Sequence, residues 1–232
     1  MKLTIVVPAY NEEENIADII ESIEAAVRTP HEVVVVNDHS TDNTRQLILK
    51  LGQKYANLKL VDNRRDRGFA NAFRSGFDNV STDFAIPVMA DLCDDLTTID
   101  TMFARTNEGY DIVCGCRYAK GGARRGGSKV KGFFSFFVGG SLYLLLGIPT
   151  HDVANAFKLY RKAVLDSIKI TAKGFEISME ITLKGFFKGF KITEVPTVWK
   201  ERTKGKSSFK MLRLFPAYFR LYLWAILRSL TG

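Results

Sequence analysis

A doubly wound α/β sheet is the fold class this sequence predicts, and three observations predict it. Short β-branched runs recur and are closed by polar or turn residues; helical-period segments lie between them; and the strand runs are apolar throughout rather than alternating. Continuous apolar runs of this length belong to strands covered on both faces, hence to a parallel sheet. Strand–helix alternation then places helices on both sides of it. The 232 residues are 46% hydrophobic and 12% aromatic, enough to bury one sizeable core.

The elements follow in order. Leu3–Val7 reads as the first strand, closed by Pro8, and Glu32–Val36 as the second, closed by Asn37 and Asp38. Between them Glu13–Val27 sets Ile16, Ile19, Ile20, Ile23 and Val27 at helical spacing. Thr41–Leu51 repeats that pattern with Ser40 or Thr41 as its N-cap. Leu58–Val61, Phe84–Met89 and Asp111–Cys114 continue the strands, with a helix over Ala70–Asn79.

After residue 117 the character changes. Arg117–Lys131 is basic, glycine-rich and free of acids, and reads as a mobile loop. Phe133–Ile148 is almost wholly apolar but only 16 residues long, interrupted by Ser135, Gly139, Gly140 and Ser141. A membrane span needs about 20 apolar residues, so an interfacial or buried helix is expected. A helix at Glu176–Lys188 and a strand at Lys191–Trp199 return the chain to the sheet. Near the end Leu212, Phe215, Phe219, Tyr222, Ile226 and Leu230 form one helical stripe interrupted by Arg213, Arg220 and Arg228. Such a basic-aromatic amphipathic helix suits a membrane surface, the alternative being packing on the sheet or on a second subunit. The expected organisation is one main domain over residues 1–200. It divides into halves at 1–116 and 117–200, with an amphipathic segment at 131–148. A basic loop and membrane-associated helix follow over 201–232.

Charge divides at the same point. Residues 1–116 hold 11 Lys/Arg and 19 Asp/Glu, while 117–232 hold 22 and 6. An acidic half followed by a basic one predicts two surfaces with different partners. Three cysteines, Cys93, Cys114 and Cys116, exclude a disulfide framework and lack the further ligands a zinc site needs. Only about six apolar residues open the chain, too few for a secretory signal, so a cytoplasmic location is expected.

In an open α/β sheet, ligands bind beyond the carboxyl ends of the strands. Here those ends are Pro8-Ala9-Tyr10-Asn11-Glu12, Asn37-Asp38-His39-Ser40 and Met89-Ala90-Asp91-Leu92-Cys93-Asp94-Asp95. Carboxylates at such positions suit ribose hydroxyls and a divalent cation. Each alone also fits a helix-capping role, in particular Asp38, Asp42, Asp94 and Asp95; three in succession favour ligand binding. No G-x-G-x-x-G follows the first strand, which disfavours a dinucleotide-binding protein. Gly205-Lys206-Ser207 resembles the end of a phosphate-binding loop, but Lys200 stands where its upstream glycine belongs. His39 reads as a turn residue.

These motifs resemble the family-two glycosyltransferases of GT-A fold, a Rossmann-like, mainly parallel mixed sheet flanked by helices. Val6–Glu12 resembles the family's opening strand motif, Val36–Thr44 its acidic second motif, and Asn63–Gly76 its N-x-G-x-x-x-A-x-x-x-G stretch. Within the family the likeness is strongest to the dolichol-phosphate mannose synthases and related polyprenyl-phosphate glycosyltransferases. It rests on Gly115–Tyr118 with the basic loop after it, on His151–Arg161, on Gly174–Glu176 and on Glu201–Ser207. The resemblance implies that Pro8, Tyr10, Glu12, Asp38, Arg67, Ala90 and Asp91 hold the donor nucleotide. It implies that Asp91, as the second acid of a D-x-D motif, holds Mg²⁺ or Mn²⁺, and that Arg117, Lys131, Ser135 and Arg202 gather the acceptor phosphate. Met89 replaces the first acid of that motif and Cys93 a usual glutamine, leaving Asp94 or Asp95 to supply the missing oxygens, Asp94 being the candidate second metal ligand. The resemblance makes 1–200 a catalytic domain, 1–116 its donor-nucleotide half and 117–200 its acceptor half. Ser208 stands where a lysine often follows.

Residue chemistry adds to this. A phosphate acceptor is already anionic near neutral pH and needs cations rather than a base, and Arg117, Arg124, Arg125, Lys129, Lys131 and Arg202 supply them. The expectation is an inverting transfer from a GDP-mannose or UDP-glucose type donor to a polyprenyl phosphate, with Asp91, Arg117 and Asp95 as catalytic candidates. It would act peripherally at the cytoplasmic face of a membrane, with a separate anchoring subunit or a second copy as a candidate partner. The alternatives are a glycosyltransferase using a hydroxyl acceptor, with Asp95 or Asp152 as base, and a basic nucleic-acid-binding protein. Nucleic acid is disfavoured because the aromatics of Phe133–Tyr143 cluster rather than interleave with cations.

Overall fold

The computed structural model describes residues 2–202 and 211–231. Seven strands form one sheet in the order β3-β2-β1-β4-β7-β5-β8: β1 (Leu3–Ala9), β2 (His31–Asn37), β3 (Leu58–Asp62), β4 (Phe84–Pro87), β5 (Ile112–Cys116), β7 (Lys158–Arg161) and β8 (Ile192–Pro196). All neighbouring pairs are parallel except those of β7, which runs antiparallel to both β4 and β5. The expected mainly parallel sheet is therefore mixed, as in the GT-A fold.

Period-two side-chain geometry explains why the strand runs are apolar throughout. Leu3, Ile5, Val7, Val33 and Val35 face one layer, where α1 (Ile16–Ala26), α2 (Thr44–Lys54) and α4 (Thr98–Thr106) deliver Ile19, Ile20, Ile23, Ile48, Ile99 and Met102. Val6, Val34 and Val36 face the other, covered by α3 (Phe69–Phe77), α6 (Lys162–Ser167) and α7 (Ile177–Phe187) through Phe73, Phe77, Val164, Ile177 and Ile181. On that face α3 touches the sheet at Gly76, where a Cβ would lie 2.2 Å from Val6 Cγ1 and 3.2 Å from Val36 Cγ2. Alanine is ordinarily the better helix residue. Here the clash reverses the sign: Gly76→Ala should cost about 1–3 kcal/mol, lowering the unfolding temperature by roughly 2–10 °C in calorimetry.

The second half holds the differences from expectation. The segment Arg117–Lys131 is not a plain loop: β6 (Ala123–Arg125) pairs in parallel with β9 (Val198–Lys200), and Gly127 N donates to Glu201 at 2.9 Å. The single strand expected over Lys191–Trp199 divides at the buried Thr197, β8 staying in the sheet and β9 joining this flap. The second helix begins at Thr44 rather than at Ser40 or Thr41. Asp42, not either hydroxyl, accepts from the Thr44 N–H and Oγ1, at 3.0 and 2.6 Å. The apolar helix α5 spans Lys129–Leu146, starting four residues before the apolar run because Ser128 caps it, and ending where Gly147 takes φ 69°. Its 18 residues make it long and apolar enough, by length and composition, to cross a membrane. It packs on one side only, and Phe133, Phe136, Phe137, Leu144 and Leu145 remain exposed.

Helix α8 (Met211–Leu230) lies against α5 and α7. Tyr218, Leu221, Tyr222, Trp224, Ala225 and Ile226 pack onto a third apolar cluster around Leu142, Met179 and Leu183. The expected stripe is thus divided: Tyr222 and Ile226 pack inward, while Phe215, Phe219 and Leu230 face outward with Leu223 and Leu227. The motif residues 203–208 and the side chains of Leu212 and Arg213 lie outside the described residues.

Candidate active site

The polar strand ends meet at one edge of the sheet. Among the described residues, three non-glycine residues have positive φ: Asn11 (52°), His39 (61°) and Leu92 (59°). Each falls in one of the three predicted strand-end motifs. Asn and His tolerate this region; a leucine there costs about 1 kcal/mol or more and has to be held by its surroundings.

The first two motifs are laced together. The Asn11 side chain accepts from Thr41 N at 2.8 Å, Asn11 N donates to Ser40 Oγ at 3.1 Å, and Glu12 N donates to Thr44 Oγ1 at 2.9 Å. Asp38 is buried, accepting from Asn63 Nδ2 at 2.6 Å and Gly68 N at 3.0 Å, which ties the third motif to the second. His39 sits at a turn, its Nε2 2.8 Å from the Arg65 carbonyl, as expected of a turn residue. Arg67 lies over the ring of Tyr10 at 4.8 Å and donates to its hydroxyl at 2.8 Å. Pro8, Tyr10, Glu12, Asp38 and Arg67 thus gather at the ends of β1 and β2, with the buried Ala90 after β4.

Beside them opens a cavity of about 500 Å³. Its polar lining includes Asp91, Asp94, Arg117, Lys131, Ser135 and Arg202, all singled out from the sequence and drawn from positions up to 111 residues apart. Its apolar wall comes from α5 and α8, through Phe134, Phe137, Phe215, Tyr218 and Phe219. Backbone contacts bring the two halves together: Lys200 N donates to the Cys93 carbonyl at 2.8 Å, and Asp94 bridges Trp199. This places Arg202 beside Glu12, at 3.3 Å, linking the first strand-end motif to the cavity.

Electrostatics are strongest on the cavity floor. Asp94 is partly covered, what is exposed of it faces the cavity, and among the described residues its carboxylate accepts no hydrogen bond. Burial, then the charge of Asp91, push its carboxyl up to about 7, against the pull of Arg117. Cys93 is buried, and burial beside Asp91 raises its thiol far above the usual range, so it is no nucleophile. Arg117 makes a two-pronged ion pair with Asp152, Nε and Nη2 each at 2.7 Å, and donates to Ser135 Oγ at 3.0 Å. The side chains are 13% and 0% exposed. Burial alone would lower the guanidinium's affinity for its proton, but the charge and hydrogen bonds of Asp152 reverse this and raise it.

Two sequence candidates are placed otherwise than expected. Asp95 is not among the cavity-lining residues, and its Oδ1 accepts from Thr97 N and Oγ1 at 3.2 and 2.7 Å, the capping role at the start of α4. Asp152 is fully buried against Arg117 and is a counter-ion, not a base. Cys114 and Cys116 are buried, free cysteines of β5, as expected. Among the described residues no group of three His, Cys, Asp or Glu is disposed to hold a metal. Sequence reasoning missed Lys158, the walls Phe69, Phe175 and Trp199, and the Arg117–Asp152 pairing. One signal was present for the last: only six acids occur after residue 116, and Asp152 sits among them in an apolar stretch.

A mixed sheet of this order, flanked by helices and with acids and tyrosine at its strand ends, defines a domain of GT-A fold. The chain belongs to glycosyl transferase family 2, whose family profile matches residues 4–169. Among curated proteins it is 30% identical to "Dolichol-phosphate mannosyltransferase" of Pyrococcus furiosus over 227 residues, 96% of this chain. It spans 63% of the length of that relative. It is 28% identical to "Polyprenol monophosphomannose synthase" of Mycolicibacterium smegmatis over 96% of this chain and 86% of that protein. Among solved structures, glucosyl-3-phosphoglycerate synthase from Mycobacterium tuberculosis in complex with Mn²⁺, UDP and glucosyl-3-phosphoglycerate shares the fold. Its TM-score is 0.69 at 19% identity, covering 98% of this chain and 79% of that one.

Proposed function

We propose that this chain transfers a sugar, with inversion, from a nucleotide-sugar donor of GDP-mannose or UDP-glucose type to a polyprenyl phosphate at a membrane surface. The observation that carries the reading is the meeting of Asp91 and Asp94 with Arg117, Lys131, Ser135 and Arg202 in one cavity walled by exposed aromatic helices. Anionic floor, cationic flank and apolar mouth correspond to metal-diphosphate, phosphate and lipid. The activities for which the two curated relatives are named support the same acceptor.

The residues fit a divalent cation: Asp91 raises the Asp94 carboxyl as a like charge, and among the described residues Asp94 accepts no hydrogen bond at its carboxylate. Asp91 and Asp94 would hold it, with the donor's own oxygens completing the shell, since Met89 contributes none. Such an ion supplies charge neutralisation for a departing nucleoside diphosphate. The rest falls to this chain's side chains. Tyr10, Arg67, Asp38 and Glu12 bind and orient the nucleotide. Arg117, with Lys131, Ser135 and Arg202, positions the acceptor phosphate, whose oxygen attacks the anomeric carbon as the bond to the diphosphate breaks and its electron pair leaves with that group. No base is needed for an acceptor already ionised. The hydroxyl-acceptor alternative loses support here, because neither Asp95 nor Asp152 is placed to take a proton.

The exposed rows on α5 and α8, with Arg220 and Arg228 along α8, would seat the protein on the cytoplasmic leaflet of a membrane. A thermal-shift panel of nucleotide sugars, with and without Mn²⁺, tests the donor. A ligand at about 100 times its Kd adds about 2.7 kcal/mol, or roughly 5–10 °C for a domain of this size. Stabilisation by none of them would overturn the donor assignment. Transfer to a short-chain prenyl phosphate but not to a prenyl alcohol is the expected acceptor result.

A further inference from the structure

Lys158 lies in β7 and is fully buried. Buried lysines are rare unless paired with an acid. Here Nζ donates instead to the carbonyls of Val153 and Asn155, both at 2.7 Å, and to Ser178 Oγ at 2.9 Å. Among the described residues no carboxylate lies within ion-pair distance of it. The ammonium's three N–H groups fill these three acceptors and leave the Ser178 hydroxyl to donate to the Asn155 carbonyl at 2.7 Å; a neutral amine has two N–H groups and keeps all three contacts only by accepting that hydroxyl's proton, which breaks the Ser178–Asn155 bond. Two of the acceptors belong to the segment 150–157, and the third anchors that segment to α7. The same segment carries Asp152 and also Asn155, whose Nδ2 donates to the Gly115 carbonyl at 2.8 Å.

We infer that Lys158 is a positioning residue: its ammonium clamps the 150–157 segment to α7, and so fixes Asp152 at the place from which it aims Arg117 into the cavity. This rests on the reading of that cavity as the acceptor-phosphate site.

Burial pushes Lys158 down to about 8, with Arg117 acting in the same sense and Cys114, Asp152 and Cys116 against it. The ammonium is therefore lost from the folded protein as pH rises through 8, well before an exposed lysine near 10.5 would lose it. The other groups facing it do not change charge there. Burial holds the Cys114 thiol up to about 11, and raises Cys116 and the Tyr160 phenol further. Arg117 stays protonated against Asp152.

The experiment compares the wild type with Lys158→Met, Lys158→Arg and Ser178→Ala. Amide exchange of peptides covering 150–157 is read from pH 7 to 10 and corrected for intrinsic rates, alongside affinity for a short-chain prenyl phosphate and for the donor nucleotide. The expected wild type loses protection of this segment, and about tenfold in prenyl-phosphate affinity, between pH 7.5 and 9, with donor affinity unchanged. Lys158→Met shows both losses already at pH 7. Lys158→Arg restores them and shows no step near pH 8. Ser178→Ala, which keeps the lysine but removes both its anchor on α7 and the Ser178 bond to the Asn155 carbonyl, gives a smaller loss, still stepping near pH 8, and serves should Lys158→Met not fold. Wild-type protection and affinity in a folded Lys158→Met, or in Ser178→Ala with Lys158→Met unfolded, overturns the inference. A wild type whose exchange steps as expected but which binds no prenyl phosphate upholds the clamp and overturns the acceptor reading instead.

Discussion

Replacing Asp152 by alanine should destabilise the protein by about 3–5 kcal/mol, because it leaves a buried guanidinium without its counter-charge. Arg117 is 13% exposed and Asp152 not at all, so little solvent is available to compensate. Four donors converge on this carboxylate: Arg117 N, Nε and Nη2, and more distantly Ser135 Oγ at 3.4 Å. Asp152→Asn separates folding from function. It preserves shape and one acceptor oxygen, but turns an NH₂ towards the guanidinium and removes the charge that holds it. Its stability should fall less, while kcat/KM for a prenyl-phosphate acceptor falls about 10²–10³-fold, the loss expected when a charge-stabilising group is displaced from its line. Donor-nucleotide affinity should change by less than about twofold. Chemical denaturation and steady-state kinetics read the two effects. Wild-type kcat/KM in a stable Asp152→Asn would show that Arg117 needs no aiming by this residue.

The first half of the chain was legible because its signals are local. The β-branched runs and the isoleucine spacing of α1 each sit within about a dozen residues, and both appear where the pattern put them. The second half was less so. Strand β7 was hidden because Lys158, a charge, stands in its short run; its pairing with Cys114 of β5, and the partners in 150–157 and α7 that accept its buried ammonium, are tertiary. The flap formed by β6 and β9 escaped for a similar reason: its three-residue strands pair across 75 residues of sequence, and glycine-rich basic chain has no period of its own. Asp95 and Asp152 show the same limit at the level of chemistry. Residue type marked both as acids that might act, and only position distinguishes a cap and a counter-ion from a base. Asp91, Arg117, Lys131, Ser135 and Arg202 were found through motif likeness, and their meeting in one cavity is a tertiary fact no spacing contains.

Asp91→Asn is expected to give the largest loss of activity, about 10³-fold or more, with no loss of stability. The two halves of that prediction have separate causes. Asp91 does little for the fold: it is partly exposed and its Oδ1 accepts one hydrogen bond, from Cys93 N at 3.2 Å. Its charge opposes that of Asp94, whose carboxyl it helps to push up to about 7. Removing the charge relieves that repulsion, so the Asp94 carboxyl should return towards the ordinary range and the unfolding temperature should hold or rise slightly. The function, by contrast, has no reserve. A family motif with two acids already has Met89 in the first place, so Asp91→Asn leaves Asp94 as the one carboxylate of that motif's segment lining the cavity. Charge neutralisation of that kind is commonly the largest single contribution to such a transfer. The checks are calorimetry and thermal shift with nucleotide sugar: the variant should melt at or above the wild type, and the additional stabilisation by Mn²⁺ should disappear. A residue whose loss leaves the fold unharmed and abolishes transfer is one retained for chemistry at the expense of stability. If Asp91→Asn instead melts lower and still transfers sugar, its carboxylate belongs to the scaffold, and the metal assignment of Asp91 and Asp94 falls with it.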